Sequence, residues 1–511
     1  MKTKVIVPAA LGAAFLLMGV LLLTKSEAPA PAGAASKPEP AVVAVAAPEP
    51  EPVVPPAPTP KKPERACLDC HRYANINTNE GVFAANGMCN ECHADPACDR
   101  TVNGHKASLH VTAEELGKYP HEFVACIQCH TDVARSPHQS DAGAQCRTCH
   151  SVHGEKTAHA PHLRVDCQAC HRRSERVRLD ETDHRVKLAG VDADGKPVDL
   201  TDHRLAEADA EDNCRKCHQS DNTVGAPAAI LPAKSALCIL CHPAPLAFGH
   251  PVFALALLIG IAGVFLTLRF WLQGSVEGEE RSIHRKIDLG AEAVWRTVFS
   301  RKFFSMLKVF FLDILLQRRI LKESVARWSV HSLIYTAILA RFALSLLTGI
   351  RFWFDPENPM ALALMDKNHG FTGFIYDLLG LFILAGIVWV VIRRYVVKPE
   401  HVVTEIADNV AVALIGLLVV FGFIAEGVRI TMSQIPPELG ISSFIGYFLS
   451  QLFSLSEWNW QRVYPWLWWI HALLGATFVA YLPFGKMRHM FNTPLTYLIE
   501  DVSGVKREKR V

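Results

Sequence analysis

Fourteen of the fifteen cysteines fall into seven Cys-x-x-Cys-His motifs. The first three are Cys67, Cys70 and His71; Cys89, Cys92 and His93; and Cys126, Cys129 and His130. The others are Cys146, Cys149 and His150; Cys167, Cys170 and His171; Cys214, Cys217 and His218; and Cys238, Cys241 and His242. Two thiols at this spacing can form thioethers to the two vinyl groups of one porphyrin, and the following histidine supplies the proximal iron ligand. A zinc knuckle or a redox dithiol would explain one motif, but neither requires a histidine after every second cysteine. The expectation is seven covalently attached haem c groups. The same regular spacing excludes a disulfide framework, and Cys98, outside every motif, reads as a buried or chance thiol.

Each haem iron needs a sixth ligand or an open position, and that choice separates electron transfer from catalysis. Beyond the proximal ligands, the motif-bearing segment holds His105, His110, His121, His138, His153, His159, His162, His184, His203 and His250. Pro120-His121 precedes Cys126, Pro137-His138 precedes Cys146, and Pro161-His162 precedes Cys167, which reads as a repeated haem module. Thr182-Asp183-His184-Arg185 is echoed by Thr201-Asp202-His203-Arg204, and His153 follows three residues after His150. The distal ligands expected are His110, His121, His138, His153, His162, His184 and His203, giving six-coordinate, low-spin haems.

These residues must be positioned by a chain that changes character halfway. Of its 511 residues, those from about 65 to 250 are rich in Cys, His, Asp and Arg and poor in Leu and Ile. Such a segment cannot build a large apolar core from side chains, so packed macrocycles must fill it. The motifs start 20 to 47 residues apart, which leaves little polypeptide for each haem. A net charge of only +2 argues against nucleic acid as a partner. Met1-Lys2-Thr3-Lys4 and the apolar run Val5 to Thr24 read as an N-terminal anchor or signal over 1–25. Either role exports the next segments, namely a Pro/Ala-rich tether over 26–64 and a periplasmic haem domain over 65–250.

From about 251 to 500, apolar spans are predicted at 251–272, 329–351, 373–393, 407–430 and 464–485. Lys and Arg cluster between the first two spans, after the third, and in the tail 501–511, which puts residue 250 outside and the C-terminus in the cytoplasm. The charged segment 303–317 reads as an interfacial helix. His471 and His489, 18 residues apart, would share one face of a continuous helix about 27 Å apart. His331 begins its span at the depth of His489, so these two could clamp a non-covalent haem b.

The stretch His471-Ala-Leu-Leu-Gly-Ala-Thr-Phe through Leu482-Pro483-Phe484, with His489 and Pro494-Leu-Thr-Tyr-Leu, resembles the last helix of respiratory nitrate reductase gamma-type cytochrome b. Arg393-Arg394-Tyr395-Val396 and Gly427-Val428-Arg429 are similar to its heterodisulfide-reductase-like branch. The resemblance covers roughly residues 250–500 and implies a five-helix quinol-oxidising subunit holding b haems. The family pattern has a second histidine ten residues after the first on the second helix, where this chain has Arg341. His369 is a substitute partner for His471; otherwise the outer haem is absent and His471 serves the quinone. One or two b haems are therefore expected.

Arg341, Asp377, Glu426, Arg429 and His471 all fall in the outer halves of their spans, where charge is costly and marks a pathway or a paired site. A quinol releases two protons with its two electrons, so a carboxylate or histidine beside the ring is required; Glu426 or Asp377 is the expected acceptor, and Arg341 completes the candidate quinol site. An ion-pair cluster joining helices, or Arg341 neutralising a haem propionate, is the alternative. The fold expected is mostly α: a little-structured, haem-packed cytochrome c domain, a five-helix transmembrane cytochrome b bundle and an N-terminal anchor helix. The organisation resembles inner-membrane multihaem quinol dehydrogenases of metal-respiring bacteria. Menaquinol or ubiquinol would be the donor, soluble periplasmic cytochromes the acceptors, and a cytoplasmic subunit a further partner. The competing functions are a quinone reductase running in reverse, a multihaem oxyanion reductase, and an electron-transfer anchor subunit of a larger respiratory complex.

Overall fold

The computed structural model describes residues 76–102, 104–112, 121–131, 133, 146–150, 162–172, 177–189, 211–271, 273–274, 279–399 and 405–503. The expected anchor and tether lie outside the described residues, as do Cys67, Cys70 and His71 of the first motif. So do the distal candidates His138, His153 and His203, and residues 504–511. The chain divides into two units, 1–148 with 190–204 and 149–189 with 205–511.

In the first unit the helix Asn79–His93 starts where Thr78 Oγ1 accepts from the Gly81 amide (3.2 Å), and it ends on the second motif. A hairpin follows, pairing Asp99–Val102 with His105–Ser108 around Gly104 at φ +80°. Val82, Ala85 and Ala125 form a three-residue core that brings this helix to the turn carrying Cys126 and Cys129.

The second unit is mostly helical, and among the described residues it contains five helices long and apolar enough to cross a membrane: Pro251–Phe270, Val325–Phe354, Gly370–Val397, Ile406–Met432 and Trp460–Tyr481. They fall where the apolar runs place them. The second begins earlier than its apolar run because Ser324 Oγ accepts from the Arg327 amide (3.3 Å), adding a polar first turn. Ile383, Ile387, Leu414, Leu418, Phe423 and Phe478 make the centre of the bundle from the third, fourth and fifth spans. The first span packs on the fifth, with Phe253 and Ala256 against Ala476.

One expectation fails. The fifth span does not continue to His489: it ends at Tyr481, and a separate helix runs His489–Ser503 after a short 3-10 turn at Lys486–Arg488. Pro483 lacks an amide hydrogen and its ring obstructs the preceding turn. The kinked segment packs so closely that a Cβ on Gly263 of the first span would lie 2.3 Å from Pro483 Cγ. His471 and His489 therefore sit on different elements, and the continuous-helix spacing of about 27 Å does not apply.

At the end of the bundle where the second span begins, the helices Lys302–Val309 and Arg318–Glu323 form a platform with His489–Ser503. Its hub is Asp313, 5% exposed, which accepts from Arg318 (2.7 and 3.0 Å) while Arg319 pairs with Glu500 (2.7 Å). Burial alone would raise the Asp313 carboxyl, but the Arg318 hydrogen bond and the two guanidinium charges outweigh it and hold it below the ordinary carboxylate range. The contribution of this hub to stability is thus present above about pH 4 and is lost as the pH falls through the lowered value.

At the opposite end, motif-bearing segments dock on the loops between spans. Arg164 pairs with Asp366 (2.9 Å), Gln461 donates to the Asn222 carbonyl (2.7 Å), and His184 Nε2 hydrogen-bonds the Ser433 carbonyl (3.0 Å). Gly225, at φ +69°, presses on the end of the fourth span, and a Cβ there would meet Met432 O at 2.5 Å. Gly225→Ala is expected to cost about 2 kcal/mol, through backbone strain and this clash, seen as a lowered Tm of the detergent-purified protein.

Candidate functional site

Most described motifs lie on a helical turn. Cys89, Cys92 and His93 close the helix Asn79–His93, Cys126–Cys129 and Cys167–His171 are short helices of their own, and Cys238 lies in the 3-10 turn Ala236–Leu240. His130 caps its short helix, its amide donating to the Cys126 carbonyl (2.8 Å). Cys146 opens a 3-10 turn that ends at Thr148, and Cys149 and His150 follow it, both exposed. Cysteines at i and i+3 of a turn project from one side, as attachment to two neighbouring vinyl groups requires.

Several histidines are oriented from behind. His93 Nδ1 is hydrogen-bonded to the Leu109 carbonyl (2.8 Å) and His218 Nδ1 to the Pro227 carbonyl (3.0 Å), which leaves Nε2 as the basic nitrogen. Two membrane-half histidines are held the same way: His331 Nδ1 by Gln317 Oε1 (2.9 Å) and His489 Nδ1 by the Lys486 carbonyl (2.6 Å).

The structure brings several of these imidazoles together in facing pairs. The ring centres of His331 and His489 are 6.1 Å apart, those of His162 and His218 are 6.2 Å apart, and those of His242 and His471 are 6.4 Å apart. A ring nitrogen lies about 1 Å from its ring centre and a metal–imidazole bond is about 2 Å. Two imidazoles on opposite sides of one iron thus have centres roughly 6 Å apart. All three pairs meet that spacing, so their residues fit a haem held by two histidines. For His93, His130, His150 and His171 the assignment as iron ligands rests on the motif itself. Among the described residues no group of three or more His, Cys, Asp and Glu is placed to hold a bare metal ion.

The partner of each distal histidine was left open by the chain order. His162, which precedes the fifth motif, lies near His218 of the sixth. The two motifs are drawn together where Lys216 Nζ donates to the Arg172 carbonyl and, at 3.5 Å, to the Cys170 carbonyl. The Nε2 of His184 is committed to the Ser433 carbonyl. His110 follows the hairpin, and His121 opens the turn before Cys126. His369 caps the third span, and the ring that faces His471 is that of His242 instead.

The seventh motif is inside the bundle. The turn Ala236–Leu240 packs against the second and fifth spans, and Leu240 and Cys241 join the main apolar core. Beside it lies a charged cluster. Arg341 donates to the Tyr376 carbonyl (2.8 Å), and Arg429 donates to Asn368 Oδ1 (2.7 Å) and faces Glu426 at 3.8 Å. Asp377, 1% exposed, accepts from the amides of Ile445 (2.6 Å) and Gly446 (3.3 Å) at the start of helix Phe444–Phe453. The Glu426 carboxyl is close enough to interact electrostatically with it. Two further cations were not anticipated from sequence, Lys234 and Lys367. Burial lowers Lys367 to about 7, helped by the charges of Lys234 and Arg429, and burial also pushes Lys234 down. The signal was available in each case: a lysine in Leu-Pro-Ala-Lys-Ser-Ala and one just before a span.

The membrane half of the chain is similar to known proteins. Residues 356–508 match the nitrate reductase gamma subunit family. That match covers the third to fifth spans and both His471 and His489. The chain is 25% identical over 260 residues to the E subunit of dihydromethanophenazine:CoB–CoM heterodisulfide reductase from Methanosarcina thermophila, covering 48% of this chain and 88% of that one. It is 29% identical over 198 residues to the corresponding subunit of Methanosarcina barkeri, covering 38% and 66%. It is 28% identical over 254 residues to EtfAB:quinone oxidoreductase of Syntrophomonas wolfei, covering 47% of this chain but only 31% of that protein. No solved structure matches. The gamma-subunit similarity lies within the membrane half and does not reach the seven motifs.

Proposed function

We propose that this protein is a membrane quinol dehydrogenase that delivers electrons to seven c-type haems on its exported half and, through them, to soluble periplasmic cytochromes. The observation that supports the reading is the packing of the seventh Cys-x-x-Cys-His motif, partly buried, against the spans, beside the neighbouring imidazoles of His242 and His471 and the Glu426 and Asp377 carboxyls. On this reading the motif would carry electrons beside a proton acceptor for quinol. The matched relatives' names refer to quinone and to dihydromethanophenazine, both lipid-soluble two-electron carriers, and this supports the same substrate class here. The haems would supply one-electron redox chemistry. His331 and His489 would hold a haem b, and each motif's cysteines and histidine a haem c. Glu426 would take a proton from quinol, Arg341 and Arg429 would offset its charge and orient the ring, and the apolar walls would exclude water.

The test uses the full chain in detergent or nanodiscs. A menaquinol analogue should reduce both b-type and c-type absorbance within one turnover; failure to reduce either, with all haems present, would overturn the reading. A second expectation concerns ligation in the exported half. His162→Ala should open one c haem to CO while the rest stay low-spin, as read by the reduced-minus-CO spectrum.

An anchor-subunit reading has its own support. The His331–His489 pair lies at the end of the bundle away from the motifs, next to the platform of short helices, and the Methanosarcina relatives are named as subunits. Co-purification of an iron–sulfur subunit whose removal abolishes haem b reduction would favour it.

A further inference from the structure

We infer that the seventh haem c, joined to Cys238 and Cys241, is held within the membrane bundle between His242 and His471, in the place where the gamma-type pattern would put an outer haem b. This deepens the proposed function and rests on its reading of the motifs as haem c sites.

Four observations converge. The His242 and His471 rings face each other at 6.4 Å with planes 24° apart, close to the separation of the pair expected to hold haem b. The second span, which supplies a histidine for the outer haem in the gamma-type pattern, carries Arg341 instead, within electrostatic range of Cys241. The incoming motif thus replaces the missing ligand from outside the span. The turn bearing Cys238 is wedged between the second and fifth spans, and Gly422 of the fourth leaves room for the imidazole, its added Cβ being 3.3 Å from His471 Cε1.

Charge supplies the fourth. Lys367 is in electrostatic range of Lys234, Arg341, Arg429 and Glu426, and Glu426 is in electrostatic range of Asp377. Four cations share the site with two carboxyls. Among the described residues, the Nε of Arg341 and the Nε and Nη2 of Arg429 are buried without a hydrogen-bond acceptor. Unmatched buried cations are expensive. A haem carries two propionates, which would restore the balance and accept those hydrogen bonds.

The experiment has two arms on the full-length protein. Haem extraction and pyridine haemochrome spectra should give one b haem for seven c haems; two b haems would overturn the inference. Covalent haem mass on the peptide containing Cys238 and Cys241 tests the underlying reading separately, since its absence would sink both. His471→Ala should convert one c haem to a high-spin, CO-binding form without reducing the b content. If that variant does not assemble, His471→Met should keep the site filled and give one c haem a His/Met spectrum at raised potential. Loss of a b haem in either His471 variant or in His369→Ala, with the c-haem spectrum unchanged, would overturn the inference.

Discussion

Purified His331→Ala protein is expected to lack b-type haem absorbance altogether while keeping its full complement of c haems. His331 and His489 face each other 6.1 Å apart, and each is held through Nδ1, by Gln317 and by the Lys486 carbonyl respectively. A non-covalent haem depends on both axial bonds, so removing one imidazole removes the group. The c haems depend on thioether bonds and should survive. Gln317→Ala should give a milder form of the same defect. Gln317 is 4% exposed and adopts φ +52°, a conformation maintained by its surroundings. Removing its side chain would free the His331 ring to rotate, and loss of such a supporting hydrogen bond commonly lowers affinity 10- to 100-fold, roughly. Haem b content per protein, measured after detergent washing, checks both. Retention of full b absorbance by His331→Ala would show that the b site lies elsewhere.

The second large effect is expected at Glu426. Glu426→Gln should slow quinol-driven reduction of the c haems by about 10²-fold, with b and c haem contents unchanged. Gln keeps the shape and the polar contacts but cannot accept a proton. Asp377→Asn should slow the same reaction much less. Its carboxyl is held by the amides of Ile445 and Gly446 and so serves chiefly to fix the start of the helix Phe444–Phe453. Asparagine retains an acceptor oxygen for them. Asp377→Ala, which leaves both amides unmatched in the interior, should lose about 2 kcal/mol of stability or more. Stopped-flow reduction with a menaquinol analogue separates the two carboxyls. Equal effects of Glu426→Gln and Asp377→Asn would show that the pair acts as one proton-sharing unit.

Much of this organisation could be read along the chain, for physical reasons that can be named. The five spans were legible because a bilayer demands some twenty apolar residues, and few other constraints produce such runs. The approach of His331 and His489 was anticipated from depth, although His489 lies on a separate helix beyond the end of the fifth span. The facing of His242 and His471 did not follow, because one partner is outside the spans and 229 residues away. Only the folding of the turn Ala236–Leu240 into the bundle brings them together. His162 was legible as a ligand-type histidine, but its partner was set by Lys216 bridging two motifs and not by order in the chain. The break after Tyr481 was written in Pro483, yet the eighteen-residue interval between histidines gave a competing argument for a continuous helix. Lys234 and Lys367 were missed because a single lysine near a membrane is usually solvated, and nothing local says that it turns inward.

The burial of Cys241 and Leu240 in the bundle core has a consequence for biogenesis. Thioether formation needs both thiols within reach of the attachment machinery, and in the folded chain both are partly buried against the spans. On the haem c reading proposed above, modification would come before the helices close, and a chain that missed its cofactor there would keep unmatched cations beside the site. Such chains should be the ones that membrane proteases remove, which would make haem supply a control on how much of this protein accumulates.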